Sequence, residues 1–111
     1  MKIKTSEATP IQLDYLVAKC EGVIWAAPDG ELLGSARGMN YSTDWSQGGP
    51  IIEREGITAS VAGSRWVAFY NATPDEEART IRTGPTPLIA AMRCYCCAKG
   101  DEVEVPDDLT S

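Results

Sequence analysis

The sequence predicts an α+β domain: a small, mainly antiparallel sheet packed with two principal helices, at about residues 10–21 and 87–99. Three observations carry that prediction. Two segments open on Thr-Pro, hold apolar residues at helical spacing and stop at a glycine. The stretches between them are rich in β-branched and aromatic residues and are broken by Pro and Gly. A chain of 111 residues is one domain's worth, long enough to bury a core without metal or disulfide staples. Residues 1–100 are read as the globular part and 101–111 as an acidic C-terminal segment, a short strand followed by a frayed end.

The first helix begins at "TPIQ". Thr9 is a cap, Pro10 suits the first helical position, and Gln12 completes a capping box. Leu13, Leu16, Val17 and Cys20 share one face, and Gly22 stops the helix. "VIWAAPDGELLG" reads as a strand, a turn at Pro28-Asp29-Gly30 and a second extended segment. "SARGMNYSTDWSQGG" has the composition of a long loop, and long loops are often functional. "PIIEREGITASV" is open between a short helical turn from Pro50, with Glu53 near its positive end, and a strand. "SRWVAFYN" is a strand, with Trp66, Val67, Phe69 and Tyr70 suited to a half-buried pleated surface. "ATPDEEARTIRTG" reads as a polar connection, with a helical turn at Thr73-Pro74. In the second helix Leu88, Met92 and Tyr95 form a stripe that Ile89 and Cys96 widen, with Gly100 as the stop. Arg93 is the only charge from 88 to 98, so this helix belongs at the centre, packed from several sides. "EVEV" adds a last short strand before Pro106.

Charge and composition exclude several functions. The net charge is −6, but five of the sixteen acids lie in the last eleven residues, and the body is almost neutral. Binding to nucleic acid rests on clustered Lys and Arg, and none is visible, so DNA and RNA are not expected partners. No apolar run reaches the roughly 18–20 residues of a membrane helix, and the start lacks a signal-peptide stretch, which points to the cytoplasm. The chain has no histidine, the commonest general base and a major zinc ligand, which weakens most hydrolase readings.

Four cysteines, Cys20, Cys94, Cys96 and Cys97, raise the question of zinc. Three crowd one helix with diverging side chains, whereas zinc wants ligands converging from two turns, so no metal and no cofactor are expected. Buried reduced thiols acting as small hydrophobes fit better. A reactive thiolate needs a base or a cation, and Arg93 lies on a different helix face from Cys94. Arg93 itself either lines a pocket for phosphate or carboxylate, pairs internally, or reaches water.

"DWSQGGPIIE" matches neither a Walker A loop nor a dinucleotide fingerprint. Two readings stay open for it. In one, the Gly48 and Gly49 amides approach an anion while Trp45 or Tyr41 stacks on a ring. In the other, the segment is a tight turn with Trp45 as a core lid. The candidate ligand residues are Tyr41, Asp44, Trp45, Gly48, Gly49, Glu53, Arg54 and Arg93; no catalytic residue is assigned. Glu53 with Glu55, or Asp75, Glu76 and Glu77, are equally at home on a solvated surface.

The stretches "LDYLVAKCEG", "YSTDWSQGGPIIEREGI" and "GPTPLIAAMRCYCCAKGDEVEVP" together resemble the NinX-type phage proteins, small proteins of lambdoid phages and prophages grouped as a domain of unknown function. The resemblance spans nearly the whole chain apart from a middle around 58–85. It implies a phage or prophage origin and work in the cytoplasm of the infected bacterial host, and it brings no catalytic residues with it. The chain departs from the pattern at Tyr15, where Trp is more usual, and at Cys96-Cys97, where Val-Ala is more usual. Both departures read as tolerable packing changes.

Three functions follow as expectations. The first is a non-enzymatic binding protein that sequesters a small anionic, nucleotide-like ligand such as a host immune signal, acting as a homo-oligomer. The second is an interaction module that engages a host protein through an apolar patch or the acidic tail. The third is a small enzyme using carboxylate or thiol chemistry.

Overall fold

The computed structural model describes residues 2–26, 32–34, 39–71, 81–100 and 102–105. The turn at Pro28-Asp29-Gly30, the Thr73-Pro74 turn and the chain beyond Val105 lie outside them. The order is β1 (Lys2–Lys4), a 3₁₀ turn (Thr5–Glu7), α1 (Pro10–Cys20), β2 (Ile24–Ala26), β3 (Leu32–Gly34), α2 (Trp45–Glu55), β4 (Ile57–Ala62), β5 (Arg65–Tyr70), β6 (Ile81–Gly84), α3 (Pro87–Lys99) and β7 (Glu102–Glu104). The fold is α+β, and every paired strand among the described residues is antiparallel.

The two Thr-Pro helices form as their local chemistry dictates. Gln12 N–H donates to Thr9 Oγ1 at 3.4 Å while Thr9 N–H donates to Gln12 Oε1 at 3.0 Å, a complete capping box. Ile89 N–H donates to Thr86 Oγ1 at 3.1 Å at the start of α3. Leu88, Ala90, Ala91, Met92, Cys94 and Tyr95 of α3 are all buried, because α1, α2, the 3₁₀ turn and the strands β4–β6 surround the helix. Cys20, expected on the buried face of α1, is exposed. It is the last residue of the helix, where the chain turns away at Gly22.

The sheet order is β4-β5-β6, with β1-β7 and β2-β3 as separate pairs. Ala68 of β5 is fully buried against α3, and Ile57 is buried at the start of β4. Two strands were not expected. β6 falls in a segment whose composition reads as a polar connection; it forms because β5 has a second open edge, and Val67 pairs with Thr83 and Phe69 with Ile81 there. β1 pairs with β7 so that Lys2 faces Glu104 and Lys4 faces Glu102, with Ile3 opposite Val103. The expected short strand at "EVEV" is thereby tied to the N-terminus, and Val105 beside it is buried.

The largest departure is α2. The stretch "DWSQGGPIIE" is neither a loop nor a tight turn but the greater part of an eleven-residue helix, which also settles residues 50–55 as helical. Asn40 O accepts from Thr43 and Asp44 N–H at 3.1 and 2.8 Å, which turns the chain into the helix. Asp44 Oδ1 then accepts from Ser46 N–H at 2.9 Å and from its hydroxyl at 2.7 Å. Gly56, at φ 68°, ends the helix in the left-handed conformation that glycine favours. Two glycines and a proline inside a helix are unfavourable locally, by about 1 kcal/mol for each Gly and about 3 for Pro. Tertiary packing offsets this. Gly48 and Ile51 are buried, and a Cβ on Gly48 would collide with the Tyr41 carbonyl oxygen and stand 2.6 Å from Leu88 Cδ1.

Candidate functional site

The starts of α2 and α3 meet at a cleft of about 190 Å³ lined by Ser42, Thr43, Trp45, Thr86, Leu88 and Ile89. Its apolar floor is Leu88 and Ile89, both buried in the first turn of α3. Trp45, the first residue of α2, stands at its edge with 54% of its surface exposed. Two helix N-termini open on one space: that of α3 has a neutral hydroxyl cap and keeps its partial positive charge, while that of α2 carries the Asp44 carboxylate. The hydroxyls of Thr43 and Thr86 add polar atoms, although Thr86 Oγ1 also caps α3.

The wall at Ser42 is tied to α1. Its N–H donates to Asp14 Oδ1 at 2.9 Å, and its hydroxyl lies 2.8 Å from the same oxygen and 3.2 Å from the Pro10 carbonyl. Burial raises the Asp14 pKa above its ordinary value, and the two Ser42 hydrogen bonds oppose that shift without cancelling it. Asp44 behaves in the opposite way: the Ser46 hydroxyl and amide hold its carboxyl below the usual value.

The candidate residues named from the sequence scatter around this cleft. Trp45 lines it and Asp44 caps the helix beside it. Tyr41 is buried behind it, its phenol pushed up by burial and then by Glu21 and Asp14. The Gly48 amide does not face the cleft; it donates to Asp44 O at 2.9 Å inside the helix. Gly49 lies beneath the indole, where an added Cβ would sit 3.8 Å from Trp45 Cε3. Glu53 is exposed in the C-terminal half of α2, not near its positive end.

The two arginines are committed elsewhere. Arg54, nine residues beyond Trp45 and so about 14 Å along the helix, grips Glu21 with both terminal nitrogens at 2.8 Å. Its Nε donates to Glu55 at 3.0 Å, and Tyr95 completes the group by donating to Glu21 Oε2 at 2.7 Å. The Glu21 and Glu55 hydrogen bonds raise the Arg54 pKa further, and burial, followed by the bond to Glu21, raises that of the Tyr95 phenol. Among the described residues Arg93 forms no ion pair with an acid, and it does not line the cleft. Its Nε and Nη2 donate to Ala8 O at 3.2 and 3.0 Å and its Nη1 to Thr83 O at 3.0 Å, tying the entry of α1 to β6. Burial, then the neighbouring Arg65, lowers its pKa.

Ser42, Thr43, Thr86, Leu88 and Ile89 are site residues that sequence reasoning did not assign to the site. Thr86 was legible as a cap and Leu88 as core, but nothing local shows that the two helix starts meet. The thiols also differ from expectation in one respect. Cys97 has a cationic neighbour, Arg82, whose Nε donates to its sulfur at 3.0 Å. The same sulfur lies 2.6 Å from Thr5 Oγ1. Among the described residues no group of three His, Cys, Asp or Glu side chains converges on a metal position.

Two other hollows are less suited to one anion. The space of about 420 Å³ at β1 is lined by Lys2, Lys4, Glu7 and Glu102, so its charges offset one another. A space of about 150 Å³ between α1 and α3 is lined by Thr5, Leu16, Lys19, Cys20, Cys96 and Val103.

The family model described as Bacteriophage P22, NinX matches residues 4–99, and the chain belongs to that phage protein family. No curated protein matches the chain. Among the described residues no helix is long and apolar enough to cross a membrane.

Proposed function

We propose that this phage protein is a non-enzymatic accessory factor that binds and sequesters a small anionic, nucleotide-like ligand, with a nucleotide immune signal of the host as the class in view. The supporting observation is the Trp45 cleft: an exposed indole placed where two helix N-termini converge. An aromatic ring of the ligand stacks on Trp45, and an anionic group lies toward the first turn of α3, away from the Asp44 carboxylate that caps α2. At about 190 Å³ the cleft is smaller than the roughly 300–1,000 Å³ of most ligand pockets. A second copy of the chain closing over it fits that size, in keeping with a homo-oligomer. Calorimetry against a panel of cyclic and linear nucleotides tests the reading. Stacking contributes about 1–3 kcal/mol per base, so Trp45→Ala should weaken a real signal by about five-fold to more than a hundred-fold. Absence of heat with every nucleotide rejects the proposal.

A second reading rests on the three-stranded sheet. β5 packs Ala68 inward, so Val67 and Phe69 point outward, and Ile81 of β6 lies opposite Phe69 with 49% of its surface exposed. This is an apolar patch on which a host protein could dock. A partner recovered from host lysate by the parent chain but not by Phe69→Glu would favour this reading.

A further inference from the structure

The hollow between α1 and α3 is not used by the Trp45 cleft. Two thiols line it: Cys20, exposed at the end of α1, and Cys96, buried on α3. The two side chains are in hydrogen-bond contact. Thr5, Leu16, Lys19 and Val103 complete the wall of the hollow, with the Lys19 ammonium turned over the Tyr15 ring, 5.9 Å from its centre. One accessible thiol and one shielded thiol in contact with it, at the wall of a shared hollow, make a different arrangement from a scatter of inert core cysteines.

We propose that Cys20 and Cys96 are a redox-active dithiol that takes up the oxidising equivalents of a low-molecular-weight disulfide. The Cys20 thiolate attacks one sulfur of the disulfide. A bond forms between Cys20 and that sulfur, and the other half leaves as a thiolate with the electron pair. The contact with Cys20 and burial raise the Cys96 pKa. The thiolate expelled in the first step therefore takes the Cys96 proton as the Cys96 sulfur attacks the Cys20 sulfur and expels the second half as thiolate. Two protein thiols become one intramolecular disulfide, one small disulfide becomes two thiols, and the protons released are those the leaving thiolates accept. Cys94 and Cys97 take no part. Cys94 is fully buried, and Cys97 is held between Thr5 and Arg82.

The position gives the bond a structural consequence. Cys20 precedes Glu21 and Cys96 follows Tyr95, the two residues that bracket the Arg54 guanidinium. A Cys20–Cys96 bond therefore clamps α1 to α3 beside the group that holds the end of α2.

The test is incubation of the full chain with oxidised glutathione, followed by intact mass and peptide mapping without reductant. The parent chain should become lighter by two hydrogens, with one peptide pair joining residues 20 and 96, reversed by dithiothreitol. Cys96→Ala should stop at a stable glutathione adduct on Cys20. Cys20→Ala alters an exposed side chain and should show neither product, with an unchanged circular-dichroism spectrum. A lasting Cys20 adduct in the parent chain, a bond through Cys94 or Cys97, a covalent dimer through Cys20, or no modification of the folded chain would each overturn the proposal. The parent and Cys20→Ala results decide the matter even if Cys96→Ala does not fold.

Discussion

α2 and α3 begin at the same cleft yet are built on opposite principles. α3 has a neutral hydroxyl cap, a proline at its first position and a body of Leu, Ile, Ala, Met and Cys buried on nearly every side. α2 has a charged cap, Gly-Gly-Pro in its interior and only Gly48 and Ile51 fully buried. One helix is favoured by its own residues as well as by the core. The other exists because its neighbours leave room for nothing else. The lesson is that a helix weak in local propensity can still form where a missing side chain permits a close approach that a better helix former would block.

The sharpest way to break the comparison is to give α2 better helix formers. Gly48→Ala should destabilise by about 1–3 kcal/mol, because the Tyr41 carbonyl is backbone and cannot step aside; the overpacking outweighs the gain in propensity. Gly49→Ala, one residue later, meets only the edge of the Trp45 ring at ordinary contact distance and should stabilise by about 0.5–1 kcal/mol. Denaturant midpoints of the two variants check both signs.

The caps offer a smaller contrast. Thr86→Ala should cost about 1 kcal/mol, and the loss should be the same at pH 7 and pH 3 because a hydroxyl does not titrate there. Asp44→Ala should be pH-dependent. The folded pKa of Asp44 is lowered, so its stabilising effect is complete above the ordinary value of 3.8 and disappears as pH falls through the lower folded value. Thermal midpoints across pH 2–6 should therefore converge for Asp44→Ala and its parent at the acid end, and stay apart for Thr86→Ala.

Asp14 provides the smallest effect, with the reverse sign. Its folded pKa is raised above 3.8, so ionisation opposes folding, and that unfavourable effect grows as pH rises from 3.8 through the folded value. Asp14→Asn keeps an oxygen for the Ser42 N–H and removes the charge. It should leave stability at pH 7 unchanged or slightly higher, with the advantage shrinking toward pH 3.8 and below. A clear loss of stability at pH 7 would mean that the ionised carboxylate is needed to hold the entry to α2.

The legible parts of the fold are those in which a few adjacent residues determine the local conformation. Thr9, Pro10 and Gln12 satisfy the first turn of α1 without help from elsewhere, and Thr86-Pro87 does the same for α3. The β-branched and aromatic residues Trp66, Val67, Phe69 and Tyr70 mark β5 for the same reason. β6 was not legible because its partner edge belongs to β5, and the polar segment before it masks four residues of strand. The site was legible only at Trp45 and its cap. Arg54 and Arg93 were reasonable candidates from charge alone, but Glu21 and two backbone carbonyls claim them; Glu21 lies 33 residues from Arg54, and one of the two carbonyls lies 85 residues from Arg93.

By itself, then, the sequence determined the α+β class, the two Thr-Pro helices, the central place of α3 and the membership of a phage family. Capping, periodicity and apolar content act over a few residues and need no knowledge of the fold. Only the tertiary structure decided that "DWSQGGPIIE" is helix. Its two glycines and its proline speak for a turn locally, and the answer depends on a carbonyl at Tyr41 and a side chain at Leu88 that approach closely enough to exclude a Cβ. The same packing brings the starts of α2 and α3 together and leaves Trp45 exposed between them.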